Sequence, residues 1–186
     1  MIKKLREFHA AEELAKIYAE PHDHERFGRG HAIRVNTTIQ LANDMAHQVN
    51  AKSVADLSCG NAVIAKALNI EKMILGDYAQ GYEYSGPLEV NLEKIDNVDL
   101  YICSESIEHV EDPGLVLGLI RRKSQTLVLS TPIDAWYDDN EEHYWAWGRY
   151  DVETLLKSAG WNPDVFIMLD TTIFDEPYIY GIWGCR

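Results

Sequence analysis

Four side chains of the kinds that bind metal ions or move protons occur in two short segments of this 186-residue sequence. Glu105, Glu108 and His109 have the spacing i, i+3 and i+4, which places three side chains on one face of a helix. His143 follows in a later loop, which we expect to return to the same edge of the fold. Two carboxylates and two imidazoles can hold a divalent ion, and imidazoles also serve in acid–base chemistry.

Three interpretations of these residues are open. In the first, Glu105, Glu108, His109 and His143 hold a divalent ion such as Mg²⁺ or Mn²⁺. In the second, no metal takes part, and the catalytic groups His109, Glu105 and His143 orient a substrate or accept its proton. In the third, the glutamates only stabilise the start of a helix through its dipole, and His109 is an ordinary buried histidine.

A second group of residues predicts a cofactor site. In segment 56–62 a strand end turns into a helix, and Gly60 lets a ligand approach the backbone closely. We expect free N–H groups at the start of that helix to favour an anion. Asp77 ends the next strand, where a carboxylate can accept hydrogen bonds from ribose hydroxyls. The Gly-x-Gly-x-x-Gly and Gly-x-x-x-x-Gly-Lys-Ser/Thr motifs are absent, which disfavours NAD and nucleoside triphosphates.

Short strands alternate with helices along most of the chain. We predict strands near residues 53–57, 72–77, 98–103, 126–130, 165–169 and 178–183, and helices near 2–19, 33–49, 62–68, 113–123 and 151–159. The alternation predicts an α/β fold with a Rossmann-like, mostly parallel sheet of seven strands, or a shortened one, and helices on both faces. The link before the last strand is too short for a helical crossover, so this strand should be antiparallel.

Length and composition predict a single domain over residues 1–186, with an N-terminal helical cover (1–50) and a cofactor-binding core (51–186). The formal net charge of −13 disfavours nucleic acid and anionic membranes as partners. No apolar run approaches the roughly 20 residues that span a bilayer. Three cysteines without paired spacing fit reduced thiols, so we expect a cytoplasmic protein.

Three segments, taken in order, resemble class I S-adenosylmethionine-dependent methyltransferases. Segment 56–62 is similar to the family signature Asp-Leu-Gly-Cys-Gly-x-Gly, Asp77 falls at its ribose-binding acid, and segment 98–113 is similar to its fourth strand and next helix. The resemblance covers about residues 50–186 and implies S-adenosylmethionine as the cofactor. The cofactor-binding residues it implies lie at three strand ends and are Asp56, Ser58, Gly60, Asn61, Asp77, Tyr78, Cys103 and Ser104.

The sequence departs from the family pattern in three places. Ser58 and Ala62 stand where the family has glycines, the Pro-Gly-Gly turn before the fifth strand is missing, and no clear third strand is visible in residues 81–95. The residue that contacts adenine is therefore Glu89, Asn91 or neither.

The Glu-x-x-Glu-His segment and the later histidine resemble small-RNA 2′-O-methyltransferases, which hold a divalent ion with two glutamates and two histidines. Ubiquinone-pathway O-methyltransferases also carry Glu-His-Val and a later histidine. These resemblances imply methyl transfer to a hydroxyl, and we expect a small-molecule acceptor. RNA is the alternative that the net charge disfavours, and a non-catalytic regulatory or partner-binding protein of the same fold is the third. A homodimer or a protein partner is also open.

Two loops supply further candidates. Arg26 or Arg29 is a candidate contact for a substrate or for the methionine carboxylate, and His22 and His24 have the spacing of a weak metal pair. The segment after the fifth predicted strand is rich in aromatic residues, of which we expect some to pack and one or two to face the substrate. These are Trp136, Tyr137, Tyr144, Trp145, Trp147 and Tyr150.

Overall fold

The computed structural model describes residues 1–23, 28–174 and 176–186, and in them the chain forms a seven-stranded sheet and a small two-stranded sheet. The strands are β1 (Lys3–Lys4), β2 (Ser53–Asp56), β3 (Lys72–Asp77), β4 (Tyr84–Ser85), β5 (Leu100–Ser104), β6 (Leu127–Ile133), β7 (Trp145–Ala146), β8 (Pro163–Asp170) and β9 (Ile179–Cys185). The helices are α1 (Ala11–Ile17), α2 (Arg29–Val49), α3 (Val63–Lys66), α4 (Leu88–Lys94), α5 (Pro113–Lys123) and α6 (Arg149–Ser158). Single 3-10 turns cover Ile107–His109 and Thr172–Phe174.

The large sheet has the strand order β4-β3-β2-β5-β6-β9-β8. Strands β4, β3, β2, β5 and β6 are parallel to one another, and β9 is antiparallel to both β6 and β8. The predicted α/β class, the mostly parallel sheet and the antiparallel last strand are confirmed. The family's third strand, which the sequence did not reveal, corresponds to β4 in this chain. It has only two residues, which explains why residues 81–95 show no strand pattern.

Helices cover both faces of the sheet, as predicted. Leu100 and Ile102 of β5 pack in one apolar core with α2 and α3, whereas Tyr101 and Cys103 pack in a second core with α4, α5 and α6. This alternation follows the period of two along a strand. Helix α2, although it precedes the predicted core, therefore contributes to the apolar interior on one face of the sheet. None of the helices described is long and apolar enough to cross a membrane.

The prediction of one helix over residues 2–19 is wrong. Residues 3–4 instead form β1, which pairs antiparallel with β7, and only residues 11–17 are helical. The cause is tertiary: the Leu5 N–H donates to the Tyr144 carbonyl, and the Phe8 and Tyr144 rings lie 4.5 Å apart. The apolar positions that suggested helical spacing therefore pack against the aromatic segment.

The start of α6 also differs from the prediction. The sequence predicts a helix near residues 151–159, but the helix begins at Arg149 with Gly148 as N-cap. Asp151 is the third helical residue, and its carboxylate accepts a hydrogen bond from the Gly148 N–H at 3.0 Å. The acidic side chain still stabilises the helix start, from inside its first turn.

A pair of glycine substitutions tests the packing of β4 against β3. A Cβ at Gly76 would lie 2.6 Å from the Tyr84 carbonyl oxygen and 2.9 Å from Leu57 Cδ2, so Gly76→Ala should destabilise the protein by about 1–3 kcal/mol. Gly118, in the middle of α5, has open space around the same position. Gly118→Ala should therefore raise the free energy of unfolding by up to about 1 kcal/mol. Urea unfolding of both variants checks this, and equal effects would contradict the packing described.

Candidate active site

A cleft of about 540 Å³ lies at the carboxyl ends of β2, β3 and β5. This is the edge at which an open parallel sheet binds its ligands. Helix α1 and the residues after it form the roof, and the first turns of α2 form one wall. Six of the predicted site residues line it: Ser58, Asp77, Tyr78, Ser104, Glu105 and His109.

The other predicted site residues lie outside the cleft lining. Cys103 is fully buried and faces the core under α5, because it has the opposite orientation to Ser104 on the same strand. Asp56 is buried beneath the loop that follows β2, and His143 is buried behind His109. Gly60 and Asn61 are not among the lining residues either. The Cys103 thiol therefore faces the core rather than the cleft, and a role of this residue in cofactor binding stays a prediction.

The backbone N–H groups of the loop from Ser58 to Ala62 are paired within the described residues, while the expectation of free N–H groups at the start of the following helix stays a prediction. The N–H groups of Gly60 and Asn61 donate to the Asp77 carboxylate and the His22 carbonyl, each at 2.8 Å. The α3 helix that follows has four residues only. Gly60 and Ala62 both have positive φ values, of 54° and 62°. Ala62 is therefore in the left-handed conformation, at the position where the family has a glycine.

Asp77 keeps the capacity to bind a ribose. Its two carboxylate oxygens accept one backbone N–H each, from Gly60 at 2.8 Å and Ala79 at 3.0 Å. A carboxylate has about four lone-pair sites, so each oxygen can accept a further hydrogen bond from the cleft. Asp56 lies nearby, and burial, together with the charge of Asp77, raises the pKa of its carboxyl to about 8.

Arg34 is a site residue that the sequence reasoning missed. It lines the cleft from α2 and is completely buried, and its Nη1 donates to Ser104 Oγ at 2.8 Å. Its Nε and Nη2 atoms are buried and have no hydrogen-bond partner among the residues that the structure describes. An unpaired buried donor is costly, and a guanidinium favours a carboxylate in bidentate geometry. Arg34 therefore presents two donors suited to an anionic group.

The position of Arg34 in α2 could have identified it as a site residue from the sequence. It lies on the buried face of this 21-residue helix, in line with Thr38, Leu41 and Met45. An arginine on an apolar stripe is unusual, because arginine is rarely buried without a partner.

The first turn of α2 is anchored by Glu176, whose carboxylate accepts the Gly30 N–H at 2.7 Å.

Glu105 lies at the end of β5 with a strained backbone. Its φ of 53° is in the left-handed region, which non-glycine residues adopt rarely. This conformation brings the carboxylate to Ser130, whose hydroxyl donates to it at 2.9 Å, and to 4.0 Å from Arg34 Nη1. Strain of this kind concentrates at functional sites.

The predicted four-residue metal set is only partly assembled. The possible donor atoms of Glu108, His109 and His143 lie within 4.8 Å of one another, and Glu105 is not in this group. The reason is local: a 3-10 turn covers Ile107–His109 and α5 begins only at Pro113, so the assumed helical face does not form.

This cluster has its own buried partners. Thr131 Oγ1 donates to Glu108 Oε2 at 3.0 Å, while Glu108 Oε1 is buried and has no hydrogen-bond partner among the described residues. His143 Nδ1 lies 2.6 Å from Asp138 Oδ2, and Asp138 also accepts a hydrogen bond from Tyr178. Asp138 thereby fixes the orientation of the His143 ring, a role that no spacing in the sequence indicates.

Burial and neighbouring charges set the protonation of these groups. Burial, reinforced by the charge of Glu105, raises the pKa of Glu108 to about 8. Burial and the positive charge of His143 lower the pKa of His109 to about 3. The pKa of His143 is raised, since Asp138 and Glu108 outweigh the effect of burial. At neutral pH His109 is therefore a neutral imidazole, with one nitrogen that donates and one that accepts.

Tyr18, His22 and His31 line the roof of the cleft. Arg29 is instead exposed, with its guanidinium over the Phe174 ring at 5.0 Å, and Arg26 and His24 lie outside the described residues. Of the two adenine candidates, Glu89 lines the cleft. The other, Asn91, is fully buried and donates to the Gly86 carbonyl.

The aromatic segment mainly packs. Trp147 is fully buried and Trp145 Nε1 donates to the Val110 carbonyl at 2.9 Å. Tyr144 is buried and also reaches the cleft, whereas Tyr137 and Tyr150 are exposed. The Tyr144 N–H donates to the Glu108 carbonyl, so the loop does return to the edge of the sheet where His109 lies.

Solved structures with the same architecture span the full length of the chain. The 1,6-didemethyltoxoflavin-N1-methyltransferase of Burkholderia thailandensis, solved with S-adenosylhomocysteine, is 14% identical with a TM-score of 0.68, over 100% of this chain and 94% of that one. The N-methyltransferase NodS of Bradyrhizobium japonicum, solved with the same ligand, is 11% identical with a TM-score of 0.70, over 94% and 97%. The [4+2]-cyclase SpnF is 10% identical with a TM-score of 0.71, over 98% of both chains. No family model and no curated protein sequence matches the chain.

The chain therefore has the fold of the class I S-adenosylmethionine-dependent methyltransferases. Identities of 10–14% define the fold alone. A cyclase shares this fold, so the reaction has to be argued from the residues of the cleft.

The burial of Asp56 predicts a pH dependence of stability. Its pKa is raised from 3.8 to about 8, so its contribution to stability is complete below pH 4 and is lost as the pH rises through 8. Asparagine cannot ionise, so the stability of Asp56→Asn relative to the wild type should rise between pH 5 and 8, by up to about 1.4 kcal/mol per pH unit. Urea unfolding across this range measures the difference. Asp96→Asn is the control, because the Asp96 side chain is 83% exposed. A difference for Asp56→Asn that is constant with pH would contradict the prediction.

Proposed function

We propose that this protein is an S-adenosylmethionine-dependent methyltransferase that acts on a hydroxyl group of a small molecule. The observation that carries the proposal is that one cleft contains both the Asp77 carboxylate, at a strand end, and the buried Arg34 guanidinium. Two nitrogens of this guanidinium have no hydrogen-bond partner among the described residues. Ribose hydroxyls and an amino-acid carboxylate are the two polar parts of S-adenosylmethionine that these groups match.

The residues present fit the cofactor. Asp77 would accept hydrogen bonds from the ribose, Arg34 would bind the methionine carboxylate, and Glu89 is the candidate contact for the adenine. A volume of about 540 Å³ is in the range of small-molecule sites. When bound, the cofactor supplies a methyl group already activated by a sulfonium.

The acceptor hydroxyl is assigned to His109. A neutral imidazole can accept a hydrogen bond from the hydroxyl and align its oxygen for in-line attack. On receiving the methyl group, this oxygen becomes positively charged and strongly acidic, so even the weakly basic His109 imidazole would then accept its proton. Glu108 Oε1 lies 4.0 Å from His109 Nε2, and the ionised form of Glu108 would stabilise the imidazolium. Glu105, held between Arg34 and Ser130, would orient the acceptor from the other side.

A divalent ion such as Mg²⁺ or Mn²⁺ is a further part of the proposal. Glu108, His109 and His143 would hold it, and the unpartnered Glu108 Oε1 supports a cation there. Such an ion would fix the orientation of the His109 ring and polarise it. Two imidazoles and one carboxylate suit Mn²⁺ better than Mg²⁺. Glu108 and His143 do not line the cleft, so such an ion would lie behind His109.

The hydroxyl assignment is tested by methyl transfer from S-adenosylmethionine to a panel of phenols, alcohols, amines and short RNAs. We expect transfer to a hydroxyl, and a loss of about 10²–10⁴-fold in kcat/KM for His109→Ala. His47→Ala, an exposed position in the last turn of α2, is the matched control and should retain the rate. His109→Gln is included in case truncation to alanine disturbs folding.

The same assay separates the alternatives. Transfer to amines alone, or full activity of both His109 variants, would contradict the proposal. An RNA acceptor would reveal itself by a steep rise of KM with salt. Loss of activity with EDTA, restored by Mn²⁺ in the wild type but not in Glu108→Gln, is the expected result if the ion takes part.

A further inference from the structure

Helix α1 lies over the cleft but is weakly attached. None of its seven residues is buried, and Ala10, its N-cap, makes no side-chain capping bond. Leu14, Ile17 and Tyr18 nevertheless line the cleft from this segment. An element with few buried contacts opens at low free energy.

Tyr18, at the C-cap of α1, makes the main polar contact beneath the roof. Its hydroxyl lies 3.1 Å from His109 Nδ1, and its ring is 5.4 Å from the Tyr78 ring at an interplanar angle of 49°. The His109 ring meets it edge-on, with centroids 6.4 Å apart. Burial and the nearby Glu142 carboxylate raise the pKa of Tyr18, so the group presented to His109 is a neutral phenol.

We propose that the Tyr18 side chain occupies the acceptor subsite, and that the acceptor is an aromatic ring bearing a hydroxyl which displaces it. This deepens the proposed function and rests on it, because His109 is the group assigned there to the acceptor hydroxyl. Each ring nitrogen of a neutral imidazole makes one in-plane hydrogen bond. Tyr18 and an acceptor therefore compete for His109 Nδ1, and Tyr18 withdraws with α1 when the acceptor enters.

The surroundings of the Tyr18 ring define what can replace it. Tyr78 offers an aromatic face and His109 an aromatic edge with a hydrogen-bonding nitrogen. A phenol satisfies both, with its ring against Tyr78 and its oxygen at His109. An aliphatic alcohol lacks the ring interaction, and an unsubstituted arene leaves the nitrogen without its partner.

The test measures phenol binding to Tyr18→Ala, both by calorimetry and by the rise of the melting temperature. Truncation leaves a ring-sized space between Tyr78 and His109, so phenol should bind the variant at least about tenfold more tightly than the wild type. Cyclohexanol and toluene should each bind more weakly than phenol. Tyr18→Phe, which still fills the space, should show no gain. Tyr137→Ala, at a tyrosine that is 95% exposed, is the matched control and should behave as the wild type.

Equal phenol affinity in Tyr18→Ala and the wild type would overturn the proposal, and so would toluene binding as tightly as phenol. Circular dichroism checks that Tyr18→Ala folds, and Tyr18→Val serves in its place if it does not. Phenol binding requires no cofactor, so its failure is separate from a failure of the methyltransferase proposal, which is read from S-adenosylhomocysteine binding to the same variants.

Discussion

The candidate site depends on the hydrogen bonds and the charge of the buried Arg34 guanidinium. This guanidinium connects α2, which covers one face of the sheet, to the ends of β5 and β6 through Ser104, Ser130 and the nearby Glu105. Removing a charge from water is strongly unfavourable unless it is paired and hydrogen-bonded. Here the pairing is incomplete, since two of its nitrogens lack partners among the described residues. Arg34 therefore has donor atoms available to bind an anionic group in the cleft.

A second constraint is the concentration of buried acids around the same edge of the sheet. Asp56 and Glu108 both have pKa values raised to about 8 by burial, so they lie close to their titration range at neutral pH. A cationic ligand stabilises their charged forms, and a sulfonium cofactor or a divalent ion is such a ligand. His109 lies between the two parts of the site, with Nδ1 towards Tyr18 and Nε2 towards Glu108. Among the imidazoles that the structure describes, His109 is therefore the one that contacts both the cleft and the buried cluster.

Much of the fold follows from local sequence, and the exceptions have physical causes. The alternation of apolar strands and helices was enough for the sheet, its covered faces and its antiparallel last strand. The two-residue β4 is too short to leave a pattern, and β1 exists only because distant aromatic residues pack against it. Of the candidate site, Asp77 and His109 were predictable because they end strands or follow them directly. Arg34 and Tyr18 were not identified, because their roles arise from contacts with residues that are distant in the sequence, such as Ser104 and His109.

The central claim is that the cleft binds S-adenosylmethionine through Arg34 and Asp77, and calorimetric titration with S-adenosylhomocysteine tests it most directly. We expect the wild type to bind with micromolar affinity, and Arg34→Met and Asp77→Asn each to weaken binding by at least about tenfold, as expected for charged hydrogen bonds. Arg122→Met is the matched control, because the Arg122 side chain is 58% exposed and pairs with Glu93 on the surface. No binding by the wild type, or equal binding by Arg34→Met and Arg122→Met, would contradict the account.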